Sequence, residues 1–175
     1  WARTALEVIP GEATDNAIRA ATESLEGKLL VGTINSIGVR RDANAVETLT
    51  PRLQHADVEV ASAAAVALGR IGNAAAADSL RKSLAAAPAN IRTAIAEGCV
   101  LCAETFAAEG KTADAIALYD DVRKAEVPTQ RIVEATRGAI LTRGQDGIPL
   151  LVEQLQSKDR IMSCLALQTA REFPG

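Results

Sequence analysis

Aromatic residues are nearly missing from this sequence: Trp1, Phe106, Tyr119 and Phe173 make up 2% of 175 residues. Deep small-molecule pockets are usually lined by aromatics, so the shortage argues against one. An excess of positive charge is also lacking. The net charge is −3, whereas a nucleic-acid partner needs a basic surface to neutralise its phosphates. No run approaches the roughly 18 uninterrupted apolar residues of a membrane span, so membrane insertion is not expected. The three cysteines, Cys99, Cys102 and Cys164, are too few and too odd in number for a disulfide framework, and they do not fix a compartment. Sustained period-two alternation with β-branched and aromatic residues is absent, so no strands are expected. There is neither an initiator methionine nor a signal-peptide pattern. The chain opens inside a helical stretch, "WARTALEVI", and is expected to be a segment of a longer protein.

What remains is 48% apolar residues, mostly alanine, leucine, isoleucine and valine, which suit closely spaced helices. Short apolar segments ending in glycine recur: "ALEVIPG", "TINSIG", "VALGRIG", "FAAEG", "ILTRG" and "AREFPG". Their last residues are Gly11, Gly38, Gly72, Gly110, Gly144 and Gly175, about 27–38 residues apart, a spacing typical of helix-pair repeats. Glycine just past the last turn closes a helix, because it takes φ > 0 without strain. Each glycine is therefore expected to end one helix. The segments that follow share a pattern. Val46, Leu49 and Leu53 align with Ala77, Leu80 and Leu84, and with Ile148, Leu151 and Leu155. Spacing of i, i+3, i+7 puts each trio on one helical face.

A second helix in each unit presents Val60, Ala64, Ala67, Leu68 and Ile71; then Ile91, Ile95, Gly98, Cys99 and Cys102; then Met162, Ala166, Thr169, Ala170 and Phe173. Asp42, Asp57 and Asp159 stand at N-cap positions. Pro149 suits an early turn, whereas Pro51 is expected to kink its helix. The reading is all-α: a right-handed α-solenoid of about five antiparallel helix pairs, one repeat domain over residues 1–175. Leu49, Leu53, Leu68, Ile71, Leu80, Leu84, Leu151 and Leu155 are expected between the paired helices. The first helical segment, Ala2 to Ile9, lacks a partner and is expected to form the weaker edge.

The pattern D-x-x-V-x-x-x-A-x-x-A-L-G-x-I-G followed by A-x-x-x-L-x-x-x-L, from Asp57 to Leu84, resembles the HEAT repeat in its short bacterial form. Ile18–Gly38, Val46–Gly72 and Ile148–Phe173 resemble it more loosely. Leu101–Pro128 is closer to a tetratricopeptide repeat, through Phe106, Gly110, Ala115, Tyr119 and Pro128. The resemblance implies a non-catalytic scaffold or protein-interaction module. Its partner would be another protein or peptide, or neighbouring domains of the same chain. The alternative is an accessory segment of a larger enzyme whose catalytic residues lie elsewhere.

No catalytic, cofactor-binding or metal-ligating residue is assigned. Cys99 and Cys102 form a C-x-x-C motif, but they fall on the positions of Leu68 and Ile71, so they are read as core. His55 has no glutamate beside it, which removes the His-Glu pattern of iron-binding HEAT-like enzymes, and it is read as a solvated loop residue. Arg40 and Arg41 form a possible carboxylate or phosphate clamp; a solvated turn capped by Asp42 is preferred. In HEAT stacks the second helices line the concave face. Here their outward stripe gives Lys28, Gly32, Ser36, Glu59, Ser62, Val66, Arg70, Asn90, Thr93, Glu97, Leu101, Gln168 and Glu172. Lys28, Glu59, Ser62, Arg70, Asn90, Thr93, Glu97 and Gln168 are the candidate interaction surface. Arg70 stands out, since arginine is favoured at interface hot spots.

Overall fold

A computed structural model describes residues 2–173. Every regular element among them is helical. A first helix, α1 (Ala2–Val8), is followed by five pairs. These are α2 (Glu12–Ala21) with α3 (Gly27–Arg40), and α4 (Val46–Leu49) with α5 (Val58–Ile71). Next come α6 (Ala74–Ala86) with α7 (Ala89–Ala108), and α8 (Thr112–Lys124) with α9 (Thr129–Arg143). The last pair is α10 (Ile148–Leu155) with α11 (Arg160–Glu172). The second helices pack side by side in the order α1, α3, α5, α7, α9, α11, and the first helices form the other layer. Neighbours in the second-helix layer meet far more extensively than those in the first. Closer spacing in one layer of a stack curves it toward that layer.

Local chemistry explains the breaks. Gly72 takes φ 66 and ends α5, with its N–H donated to the Leu68 carbonyl. Asn73 then caps α6, its side chain accepting from the Ala76 N–H. The Asp42, Asp57 and Asp159 carboxylates accept from the N–H groups of Asn44, Glu59 and Ile161, as N-caps should. Pro51 does more than kink its helix: α4 keeps only four residues, between 3-10 turns at Ala43–Ala45 and Thr50–Gln54.

Gly38 was expected to close a helix, yet α3 runs on to Arg40 and the left-handed cap is Arg41, φ 52. Gly38 is small for another reason: a Cβ there would press on the Ala67 backbone of α5. Gly69 and Gly98 do the same for α5 and α7, since a Cβ on Gly69 would meet the Gly98 backbone. Gly175 lies outside the described residues.

One hydrophobic core runs through the stack from Ile18 to Ala139, while Ile140, Leu151 and Ala166 form a separate cluster under the last pair. Leu49, Leu53, Leu68, Ile71, Leu80, Leu84 and Leu151 are buried as expected. Leu155 is not: it is 38% exposed, together with Ile148 and Val152. The short α10 turns Leu151 and Gln154 inward, and no helix among the described residues covers its other side. In α11 the inward residues are Leu165, Ala166 and Thr169; Ala170, expected on that face, is exposed. The tetratricopeptide-like stretch, Leu101–Pro128, takes in the end of α7 and all of α8. It therefore joins helices of successive pairs.

Candidate interaction surface

The second-helix face is built by the repeat, but its charged residues are not equally available. Ser36, expected to point outward, is fully buried beneath α1. Arg3 donates to the Gly32 carbonyl (3.0 Å) and to Ser36 Oγ (2.7 Å), and Ser36 in turn donates to Glu7 Oε1 (2.6 Å). Glu97 is held by Arg131 of α9 at 2.7 Å, and Arg131 also pairs with Glu134. Glu172 pairs with Arg137 of α9. Hydrogen bonding from Arg137 lowers the Glu172 carboxyl below the usual range, and the same contact raises Arg137. The seams at both ends of the layer are thus tied by ion pairs and hydrogen bonds.

Lys28, Glu59 and Asn90 are exposed in the first turns of α3, α5 and α7, at one end of the layer. Ser62 and Thr93 are half-buried along it, and Gln168 is exposed on α11. Of the eight candidates, Asn90 lines a groove beside His55 and Pro88, and Arg70 lines one at the opposite end of the second helices. The Arg70 groove holds about 310 Å³ and also contains Arg41, Leu101, Glu104 and Thr105. The stripe is therefore a set of separate positions, with one groove at Asn90 and another at Arg70.

Arg40 and Arg41 go opposite ways. Arg40 is not solvated, contrary to the preferred reading of the turn. Its guanidinium pairs with Asp15 and donates to the carbonyls of Leu6 (2.9 Å), Glu7 (3.2 Å) and Ile9 (2.7 Å). It satisfies the open C-terminal carbonyls of α1 and pins that helix to α2 and α3. Arg41, one residue on, is exposed. Asp42 caps the next turn and pairs with Arg19.

Cys99 and Cys102 are buried, and burial pushes both thiols up to about 12. Cys164 is exposed. Among the described residues no three of His, Cys, Asp or Glu gather as metal ligands. His55 is exposed, and its Nδ1 accepts from the Asp57 N–H at 3.0 Å. No helix among the described residues is long and apolar enough to cross a membrane.

The α9 residues Arg131, Glu134 and Arg137 were missed in the sequence because their helix was not aligned with the other second helices. A signal was available. Arg131 follows Glu97 by 34 residues, and Glu172 follows Arg137 by 35. Opposite charges one repeat apart mark neighbouring second helices.

Stacked antiparallel pairs in two layers, each touching only its neighbours, define an α-solenoid. Residues 14–99 match the family model for HEAT repeats. This stretch carries HEAT repeats, and the pairs beyond it continue the same two-layer α-solenoid stack. No curated protein matches the chain.

Proposed function

We propose that this solenoid is a non-catalytic scaffold that holds a protein or peptide partner, or a neighbouring domain of its own chain, on the second-helix layer. The observation that carries this reading is the uneven use of charge on that layer. Ion pairs close its seams at α7–α9 and α9–α11, while Lys28, Glu59 and Arg70 form no ion pair among the described residues. Continuous inner surfaces of this kind are what helical-repeat proteins offer to extended partners. The candidate surface comprises Lys28, Glu59, Ser62, Arg70, Asn90, Thr93 and Gln168, with Glu97 as a seam residue.

Site-specific photo-crosslinking tests the reading. A benzophenone side chain at Val66 or Glu59, on the second-helix layer, is expected to trap a discrete partner in the native host. The same group at Asp78 or Lys82, on the first-helix layer, is expected to trap none. Equal trapping from both layers would remove the assignment of the binding face.

A further inference from the structure

Every arginine from α1 to α9, apart from two, reaches a carboxylate or a backbone carbonyl. Arg81 pairs with Asp121 and Arg92 with Glu126, so the groove of about 650 Å³ between α6 and α8 has its guanidinium charge already engaged. Arg52 donates to the Thr22 and Thr48 carbonyls, and Arg123 and Arg143 share Asp120. The exceptions are Arg41 and Arg70. Neither meets an acceptor among the described residues, and both line the same groove of about 310 Å³.

Their placement follows from the packing of α3 on α5. Gly38 lets the two helices approach, and the Arg70 chain lies along it, with Cδ 3.4 Å from where a Gly38 Cβ would stand. The Arg41 N–H is donated to the Gly38 carbonyl at 3.2 Å, so Arg41 rises from the same point of α3. The other wall belongs to α7, which outruns α5 and supplies Leu101, Glu104 and Thr105.

We infer that Arg41 and Arg70 form the anchor point for an acidic peptide segment on the second-helix layer. One Asp or Glu side chain of the peptide sits between the two guanidiniums, and a neighbouring apolar side chain rests on Leu101. This rests on the scaffold reading and narrows its partner. A carboxylate suits the site because guanidiniums bind it through charge-assisted, often bidentate, hydrogen bonds. Glu104 and Glu109 line the same groove, and Glu109 is already engaged by Lys111 at 2.8 Å. Two arginines set against these acids favour a singly charged group over a doubly charged phosphate. The volume lies at the low end of ligand sites, roughly 300–1,000 Å³, enough for one or two side chains of a longer strand.

The test uses a fluorescein-labelled, end-capped octapeptide with two glutamates flanked by leucines, its glutamine counterpart, and inorganic phosphate. Binding is followed by anisotropy at low ionic strength, and by NMR shifts of arginine Nε–H signals. The acidic peptide is expected to bind and to shift Arg41 and Arg70, and the glutamine peptide is expected not to bind. The Arg41→Gln/Arg70→Gln variant is expected to weaken binding at least about tenfold, given two lost charge-assisted contacts, while Arg81→Gln leaves it unchanged. Both variants keep their helical circular dichroism, since the replaced side chains are exposed. Unchanged affinity in the double variant overturns the proposal. Shifts produced by phosphate but not by the peptide also overturn it. So does a peptide that shifts residues elsewhere on the layer, and that outcome leaves the scaffold reading standing. The scaffold reading itself falls only if crosslinking fails to distinguish the two helix layers.

Discussion

The middle of the stack and its last pair are built from the same kind of helices, yet they hold together differently. Between α3 and α7 each helix is covered on both sides. Val60, Ala64, Leu68, Leu80, Ile95 and Cys99 are essentially inaccessible to solvent, and glycines at 69 and 98 bring α5 and α7 into backbone contact. Under the α10–α11 pair the buried apolar cluster is small, Ile140, Leu151 and Ala166, with Leu165 and Thr169 buried beside it. Ile148, Val152, Leu155, Ile161 and Leu167 are left exposed there. A solenoid has no closed core, so a repeat is as stable as its own packing plus the interfaces on either side. Identical apolar spacing therefore means burial in one repeat and exposure in another.

The largest test of this contrast is a pair of leucine truncations, one in the middle of the stack and one in its last pair. Leu80→Ala, at 0% exposure, is expected to cost about 2–5 kcal/mol in urea unfolding, because rigid neighbours on both sides preserve the cavity. Leu155→Ala is expected to stay within about 0.5 kcal/mol, as surface changes do. Equal losses would show that the last pair is sealed as well as the middle.

The buried thiols sharpen the comparison from another side. Burial raises Cys99 and Cys102 to about 12, whereas an unfolded thiol ionises near about 8.5. Above that value the unfolded chain releases protons that the folded chain keeps. Stability therefore falls with rising pH, by about 1.4 kcal/mol per thiol for each pH unit until the folded values are reached. Alkaline unfolding of the wild type, compared with Cys99→Ala/Cys102→Ala, should show the slope between about pH 8.5 and 10 disappear, while buried Tyr119, also raised to about 12, still contributes above that. At neutral pH a thiol reagent should label exposed Cys164 quickly, and the other two only after denaturation. Fast labelling of all three would mean the middle opens as readily as the end.

The α1 edge lies between these extremes. Its Val8 is 81% exposed and Ile9 47%, but Arg40 holds its C-terminal carbonyls. Hydrogen exchange is expected to show α1 less protected than α5 in the wild type, and almost unprotected in Arg40→Gln, with α5 unaffected. Protection of α1 equal to that around Leu68 would refute the weak-edge expectation.

These cases show how far the sequence could be read. The period, the helix pairing, the N-caps and the central core follow from local spacing, which is visible in one dimension. The misses all concern what lies beside a residue. Leu155 fits its trio, but α10 turns it toward an uncovered side. Arg40 and Arg41 are chemically identical neighbours, and only the end of α3 at Arg40, two residues past Gly38, sends one inward and the other out. Ser36 occupies an outward-stripe position, yet α1 covers it. The candidate surface was legible as a list of positions. Its concave point at Arg70 was not, because the groove there depends on Arg41 and on the overhang of α7.

The smallest expected effect concerns the seam that joins the last pair to the stack. Glu172 of α11 accepts from Arg137 of α9, in part through Nε at 3.1 Å, and hydrogen bonding holds its carboxyl below the ordinary value. A carboxyl lowered in the folded state stabilises it above the unfolded pKa of about 4.3, and that help is lost as pH falls through the lowered value. Both side chains are partly solvated, at 48% and 41% exposure, so salt should screen the pair. Wild type and Glu172→Gln should therefore differ little in global unfolding at neutral pH and converge under acid. The difference should be local: faster exchange of α11 amides in the variant above pH 5 or so, vanishing as the wild-type carboxyl is protonated. An α11 equally protected in both proteins at neutral pH would show that Leu165, Ala166 and Thr169 alone dock the last helix.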